Sequence, residues 1–292
     1  MNNEDWEKAG KIAGQVREYS KNLIKIDASL LEVTEKIEKK IFDLGGKPAF
    51  PVDLSINEVA AHYSALCDDS TIFKEKDIIK IDIGVSINGA IGDTACTVSL
   101  NGDKNLIKAS ELALKEAIRL VRPGVKLFEI GQVIQDKIQE FGFSPIRNLS
   151  GHGLGLFQIH AKPSIPNYNN GNETTLGEDQ IIAIEPFATT GSGLVMEGKP
   201  SQIYMLVNKK PVRDFFSRKL LIFIESNYNK LPFAKRWLPK EFDKLKLEVS
   251  LNQLERGGIL KQFPQLPEKS NGLVSQTEHT ILVKDKPKIL TE

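Results

Sequence analysis

Apolar residues recur every three or four positions in two separate parts of the chain, and this spacing predicts helices. The clearest run covers residues 28–44, where the apolar side chains share one helical face. Ser29 and Glu32 have the spacing of a capping box at its start, and Gly45-Gly46 ends it. The same pattern predicts further helices over residues 5–24, 104–121 and 127–141.

Two β-like runs flank Asn88-Gly89, the dipeptide that most readily closes a two-residue hairpin. With this turn, Gly84 lies opposite Asp93, and Asp82 lies diagonally across from Asp93 on the same face. Gly84 leaves space beside Asp93, whereas Cys96 faces the other side of the hairpin. Two like charges on one partly buried face are costly unless a cation compensates them. The hairpin therefore predicts a metal site.

Short apolar runs between turn residues predict the remaining strands. They are an extended segment over 49–63 and strands over 146–153, 181–186, 202–207 and 273–283. The order of elements is thus helix, helix, strands, repeated once. This order predicts an internal pseudo-repeat.

The segment from residue 208 to residue 267 has a helical pattern that interrupts the strands, and we interpret it as an insertion. Its predicted helices cover residues 212–228, a short run from Pro232 onward and residues 244–256. Residues 207–246 contain eleven Lys or Arg and four acidic residues, a local net charge of +7. Two interpretations stay open: exposed helices with ordinary solvated lysines, or a basic surface that contacts RNA or the ribosome.

The composition is that of an ordinary folded protein. Over 292 residues, 40% are hydrophobic and 26% charged, and the net charge is +1, which argues against a disordered chain and predicts no DNA partner. The sequence has no apolar run long enough to span a membrane and no signal-peptide pattern at its start. Cys67 and Cys96 are too few for a disulfide framework, so we expect a reducing, cytoplasmic location.

Three further residues carry metal-binding chemistry later in the chain. His152 lies among glycines that allow close backbone approach, in a run without phosphate-loop spacing. Glu185 ends an apolar strand before Pro186, and Glu278 lies in another strand-like run. Each alone is equally consistent with a structural role. Together with Asp82 and Asp93 they form an oxygen-rich set whose four negative charges match two divalent cations.

Such a set favours manganese, iron or cobalt over a thiolate-type zinc site, with zinc still open. Two metals bridged by a water would supply a hydroxide nucleophile and polarise a carbonyl. The residues therefore predict a metallohydrolase, and by themselves they leave its substrate open.

These motifs resemble the type 2 methionine aminopeptidases, which have the pita-bread (creatinase/aminopeptidase) fold. The matching segments are IDIGVSINGAIGDTACTV, SGHGLG, AIEPFAT and QTEHTILV. The resemblance implies an α+β fold with two pseudo-twofold halves around an antiparallel sheet. It also implies a catalytic domain of residues 1–207 and 268–292 and an inserted helical subdomain of residues 208–267, the mark of type 2. Without a long charged N-terminal extension, the chain resembles the short archaeal form.

The resemblance also implies roles for single residues. Asp93 and Glu278 would bridge two divalent metals, Asp82 would chelate one, and His152 with Glu185 would complete the other. Glu185 would also handle the proton of the bridging water.

By the same resemblance, His62 in NEVAAHYS and His160 in FQIHAKPSIP would contact the peptide near the scissile bond. Phe50 and Ile203, with Tyr204 beside them, would line the pocket for the methionine side chain. His279 has no role in the family.

The implied reaction is removal of the initiator methionine from nascent proteins whose second residue is small. We expect a monomer, and a transient contact with the ribosome through the basic segment stays open. Two alternatives stay open. One is a proline-directed peptidase of the same fold, and the other is a non-catalytic RNA- or ribosome-binding protein on this scaffold.

Overall fold

The computed structural model describes residues 3–102, 104–239 and 242–292. Lys240 and Glu241, which count toward the basic segment, lie outside them. The helices are α1 Asn3–Lys21, α2 Leu30–Asp43, α3 Lys104–Leu120, α4 Leu127–Glu140, α5 Phe215–Tyr228 and α6 Lys244–Arg256. The strands are β1 Lys47–Pro48, β2 Asp53–Ile56, β3 Val59–Ala61, β4 Ile78–Ile87, β5 Ala90–Ser99, β6 Ser144–Pro145, β7 Ser150–Gly155, β8 Gln158–Pro166, β9 Ile181–Ile184, β10 Phe187–Thr189, β11 Pro200–Leu206, β12 Phe233–Ala234, β13 Leu260–Pro264, β14 Leu266–Pro267, β15 Val274–Gln276, β16 His279–Leu282 and β17 Lys288–Ile289.

The first half of the chain packs α1 and α2 against a sheet of β1, β2, β4 and β5. The β4–β5 hairpin has the predicted register, with Ile87 opposite Ala90 and Gly84 opposite Asp93. Cys96 lies in the hydrophobic cluster on the helix side of this sheet, as its alternation predicted. The helix predicted over 28–44 begins after Ser29, whose side chain accepts a hydrogen bond from the Glu32 backbone.

The second half repeats this arrangement with α3 and α4. Their buried faces form one hydrophobic cluster with residues of β9, β10 and β16. The five-stranded sheet has the order β17-β16-β9-β7-β8, and a smaller sheet has the order β15-β10-β6. Two helix pairs, each with its own sheets, therefore occur in the predicted order.

The two halves meet along β5 and the segment from β15 to β16. Ala95 and Glu278 form a single antiparallel bridge there. The Thr280 hydroxyl accepts a hydrogen bond from the Asp93 backbone N–H and donates one to the Asp93 carbonyl, both at 2.8 Å. The strand predicted over 273–283 is present but interrupted at Thr277, next to the point where Glu278 bridges to the other half.

Residues 200–264 contain a third cluster, built from α5, α6 and the sheet β12-β11-β13. The helix predicted from Pro232 onward was wrong. Phe233 and Ala234 instead pair with Ile203 and Tyr204 of β11, and only a 3-10 turn, Lys235–Trp237, follows. Proline is as compatible with the start of a strand as with a helix, and the pairing with β11 decided between them. The helix predicted from residue 212 begins at Phe215, because Asp214 caps it.

No helix among the described residues is both long and apolar enough to cross a membrane.

Candidate metal centre and active site

The hairpin carries its two aspartates on one face, as its register requires. Asp82 pairs with Ala95 and Asp93 with Gly84, so the two carboxylates are diagonal neighbours. The space that Gly84 was expected to leave is filled: a Cβ on Gly84 would lie 2.2 Å from the Phe50 ring. Glycine at this position therefore lets an aromatic side chain lie directly beside Asp93.

The second half supplies an imidazole and two more carboxylates. His152 Nε2 lies 3.7 Å from Asp93 Oδ2 and 3.5 Å from Glu185 Oε1. Asp93, His152 and Glu278 each offer a ligand atom, and these atoms lie within 4.8 Å of one another. Gly153 lets β7 carry His152 into this crowded position, because a Cβ there would lie 2.2 Å from the Lys162 carbonyl oxygen.

Burial controls the protonation of this cluster. Burial raises the pKa of Asp82 to about 6 and, with the charge of Asp82 added, raises the pKa of Asp93 well above its usual range. Burial and the neighbouring carboxylates also raise the pKa of Glu185 and Glu278. Burial, with His160 nearby, lowers the pKa of His152 to about 3. His152 is therefore neutral at pH 7, the form in which imidazole binds metals.

The donor set fits divalent cations. Asp82 Oδ1 and Asp93 Oδ1 are buried and have no hydrogen-bond partner among the described residues, although an unpaired buried carboxylate oxygen is costly. A cation would satisfy these oxygens and relieve the repulsion that raises the carboxylate pKa values. Carboxylate oxygens and a neutral imidazole suit manganese, iron, cobalt and zinc.

One cavity of about 270 Å³ brings the predicted residues together. Its lining includes nine of the residues for which the sequence predicted a role: Phe50, His62, Asp82, Asp93, His152, His160, Glu185, Ile203 and Glu278. Tyr204, expected beside Ile203, does not line it, because strand alternation turns its ring into the third cluster, where it stacks on Phe233.

His62 and His160 also line this cavity. The His160 ring meets the His152 ring edge to face, with centroids 4.7 Å apart. His62 Nδ1 lies 3.0 Å from the Pro264 carbonyl oxygen, and its ring packs edge-on against Phe263. Burial, with the charges of His160 and Lys261, lowers the pKa of His62 to about 4, so it is neutral at pH 7. His279 faces away from the cavity, within hydrogen-bond distance of Arg17 and Thr291.

Two buried residues in contact with this cluster have no counterpart in the sequence predictions. Asp53 of β2 pairs directly with Asp82 of β4 and lines the cavity. Gln276 of β15 donates from Nε2 to Asp82 Oδ2 at 3.0 Å and to Glu185 Oε2 at 3.4 Å, so it links carboxylates of both halves. The acidic residue in the apolar run AFPVDLSI was a usable signal for Asp53. No local pattern distinguishes Gln276 from an ordinary strand glutamine.

Two packed halves around a buried carboxylate and histidine cluster define a metallopeptidase of the pita-bread class. The profile of metallopeptidase family M24 matches residues 4–285, and the chain belongs to this family. The methionine aminopeptidase of Pyrococcus horikoshii is 49% identical over 287 residues, covering 97% of this chain and 97% of that protein.

Solved structures confirm the α+β pita-bread fold. A methionine aminopeptidase from Thermotoga maritima superposes with a TM-score of 0.72 at 23% identity, covering 99% of this chain and 96% of that one. A thermophilic Arx1 gives a TM-score of 0.86 at 17% identity, covering 98% of this chain and 89% of that one.

Proposed function

We propose that the protein is a methionine aminopeptidase of type 2, in the short archaeal form, which removes the initiator methionine from nascent proteins with a small second residue. The observation that carries the proposal is the single cavity, which holds the four carboxylates, three histidines and two apolar side chains named from the sequence. The 49% identity to the Pyrococcus horikoshii methionine aminopeptidase, which extends over nearly the full length of both chains, supports the substrate assignment.

Two divalent cations are the proposed cofactors, and cobalt, manganese, iron and zinc are the candidates. Asp93 and Glu278 would hold both ions, Asp82 would complete one, and His152 with Glu185 would complete the other. When bound, such ions supply Lewis acidity toward a carbonyl and make water a better nucleophile at neutral pH.

The proposed work of the protein's own side chains is positioning and proton transfer. Glu185, whose Oε1 faces His152 at 3.5 Å, would accept the proton of the attacking water and pass it toward the leaving amine. Neutral His62, whose Nδ1–H donates to the Pro264 carbonyl, would offer Nε2 as an acceptor to a peptide N–H. Neutral His160 would donate a hydrogen bond to the developing negative charge at the scissile carbonyl. Gln276 would hold Asp82 and Glu185 in a fixed relation through its amide.

The proposed seat of the methionine side chain is the apolar part of the cavity. Phe50 and Ile203 lie on its wall, together with Pro232, Phe263 and Leu266 from the 208–267 segment or its flank. An unbranched apolar side chain fits such a wall, and its burial stabilises the complex by about 2 kcal/mol. Specificity for methionine would then depend on a wall that the insertion helps to form.

We further propose the division into a catalytic domain of residues 1–207 and 268–292 and an inserted subdomain of residues 208–267. The separate hydrophobic cluster of α5 and α6 supports this division. The basic charge of the insertion supports a transient ribosome contact, and the free Cys67 and Cys96 support a reducing, cytoplasmic setting. We propose a monomer.

In the deciding experiment, the purified protein is loaded with Mn²⁺, Co²⁺, Fe²⁺ or Zn²⁺ and incubated with Met-Ala-Ser, Met-Trp-Ser and an Xaa-Pro tripeptide. Release of methionine from Met-Ala-Ser, with little from Met-Trp-Ser, is expected. Cleavage before proline without methionine release would support the proline-directed alternative. No turnover of any peptide with any of the four metals would support the non-catalytic binder.

A further inference from the structure

Asp53 is a buried carboxylate of the cavity wall that the proposed metal ligands do not include. It is 4% exposed and lies opposite Asp82 in the β2–β4 pairing. One oxygen, Oδ2, accepts a hydrogen bond from the His62 backbone N–H at 2.9 Å. The side chain therefore touches the substrate-facing histidine on one side and lines the cavity on the other.

The second oxygen of Asp53 is the unusual one. Asp53 Oδ1 is buried and has no hydrogen-bond partner among the described residues. Within the described cavity lining, the other such oxygens belong to Asp82 and Asp93, which the metal site accounts for. A buried carboxylate oxygen without a partner is costly, and a bound cation or donor removes this cost.

We propose that Asp53 Oδ1 receives the α-amino group of the substrate, which makes Asp53 a substrate-binding residue; this inference rests on the proposed aminopeptidase function. An aminopeptidase must recognise a free N-terminus, and the ammonium form offers three N–H donors and a positive charge. The neighbouring Asp82 carboxylate adds negative potential at the same place. A charge-assisted hydrogen bond to a buried carboxylate is among the strongest available to such a ligand.

A divalent metal ion is the other cation that this oxygen would attract. The test therefore measures the binding of the amino group and the binding of the metal ion separately. The amino-group arm measures the affinity of the Mn²⁺-loaded protein for methionine amide and for 4-(methylthio)butanamide, which differs only in lacking the α-amino group. The metal arm titrates the apoprotein with Mn²⁺ alone and measures the bound metal.

The key variant is Asp53→Asn, which keeps an oxygen for the His62 N–H but replaces the second acceptor with an NH₂ donor. Asp53→Ser serves if the amide variant does not fold. The matched control is Ser55→Ala on the same strand, because Ser55 Oγ is also buried without a partner among the described residues but does not line the cavity.

We expect the wild type to bind methionine amide at least about tenfold more tightly than its des-amino analogue. This preference should largely disappear in Asp53→Asn and persist in Ser55→Ala, while Mn²⁺ affinity stays within about twofold in both. Affinity for the des-amino analogue should not fall.

Two results would overturn the proposal: no preference for the amino ligand in the wild type, or an Asp53→Asn variant that keeps the preference. A loss of Mn²⁺ affinity of about tenfold or more in Asp53→Asn would make Asp53 a metal ligand instead. Failure of the proposed function is seen separately, as a wild type that releases no methionine from Met-Ala-Ser.

Discussion

His62 has a backbone conformation that non-glycine residues rarely adopt, with φ of 61°. Asp53 accepts a hydrogen bond from its N–H, and the Pro264 carbonyl lies beside its ring nitrogen. These contacts hold the imidazole in a strained position at the cavity, which is typical of residues that contact substrate. Asp93, in contrast, lies among the ligand atoms of the cluster.

The two residues should therefore respond differently to substitution. We expect His62→Ala to lower kcat/KM for Met-Ala-Ser by about a hundredfold or more, because a preorganised contact that orients the peptide is lost, with metal content near wild type. Asp93→Asn should lose metal as well as activity. Metal analysis after gel filtration separates the two effects, and a fully metallated, active Asp93→Asn would refute the bridging role.

Glu268 shows that a buried carboxylate need not mark a functional site. It accepts hydrogen bonds from the backbone and hydroxyl groups of Ser192 and Ser270 and from the backbones of Gly193 and Gly272. Burial acts to raise its pKa, but these donors outweigh it and lower the pKa to about 2. Glu268 thus joins two loops with its acceptors satisfied, whereas Asp53, Asp82 and Asp93 in the cavity each have a buried oxygen without a partner among the described residues.

The stabilisation that Glu268 provides depends on pH. Because the folded pKa of Glu268 lies below its unfolded value, the stabilisation is fully present above about pH 5 and is lost as the pH falls through about 2. Compared with Glu268→Gln, the wild type should have a higher free energy of unfolding at pH 7. Urea denaturation should show that the difference in unfolding free energy between the wild type and Glu268→Gln is about 2 kcal/mol smaller at pH 3 than at pH 7. A constant difference would contradict the assignment.

At the scale of elements, threonine hydroxyls join the halves where the ligand-bearing strands meet. Thr280 contacts both backbone groups of Asp93, and Thr97 accepts from the Gln276 N–H at 2.9 Å and donates to the Gln276 carbonyl at 2.7 Å. Each half thus supplies one hydroxyl that replaces two sheet hydrogen bonds. The relative position of Asp93 and Glu278 depends on this junction.

We expect Thr280→Val to weaken Mn²⁺ binding about tenfold, because its isosteric methyl group leaves two buried backbone groups at Asp93 unpaired. Thr280→Ser keeps the hydroxyl and should restore binding. Calorimetric Mn²⁺ titration of both variants is the measurement. A Thr280→Val protein that only melts earlier, with unchanged metal affinity, would mean the hydroxyl serves folding alone.

At the scale of the whole molecule, a buried ion pair attaches the 208–267 segment to the first half. The Arg236 guanidinium forms a two-pronged contact with the Glu38 carboxylate, and the Trp237 indole donates to the same carboxylate at 2.9 Å. Both charged side chains are 8% exposed. The segment that carries Pro232 and Phe263 to the cavity is therefore held against helix α2.

Removing one member of a buried pair leaves the other charge unpaired, so we expect Arg236→Met to cost about 3–5 kcal/mol of unfolding free energy. The exposed pair Lys39–Asp43 on the same helix is the matched control, and Lys39→Met should cost less than about 1 kcal/mol. Equal losses in guanidinium denaturation would show that the Arg236 contact is an ordinary surface pair. KM for Met-Ala-Ser should rise in Arg236→Met, since the cavity wall is displaced.

Local sequence patterns were sufficient to predict helices α1–α6 and the β4–β5 hairpin. The Asn88-Gly89 turn sets the register, and strand alternation then decides which side chains share a face, so the placement of Asp82 and Asp93 followed from neighbours in the chain. The prediction of a helix from Pro232 failed because a proline opens several kinds of element. Its strand exists only because β11 lies beside it.

The sequence by itself determined which residue types carry the chemistry and, within the hairpin, how they face. Only the tertiary structure decided that Asp53 lies against Asp82 and that Gln276 lies between Asp82 of one half and Glu185 of the other. It also decided that Phe50 occupies the space at Gly84 and that residues of the 208–267 segment line the cavity. The reason is physical: periodicity reports which face of an element is buried, whereas contacts between distant segments depend on how those faces pack together.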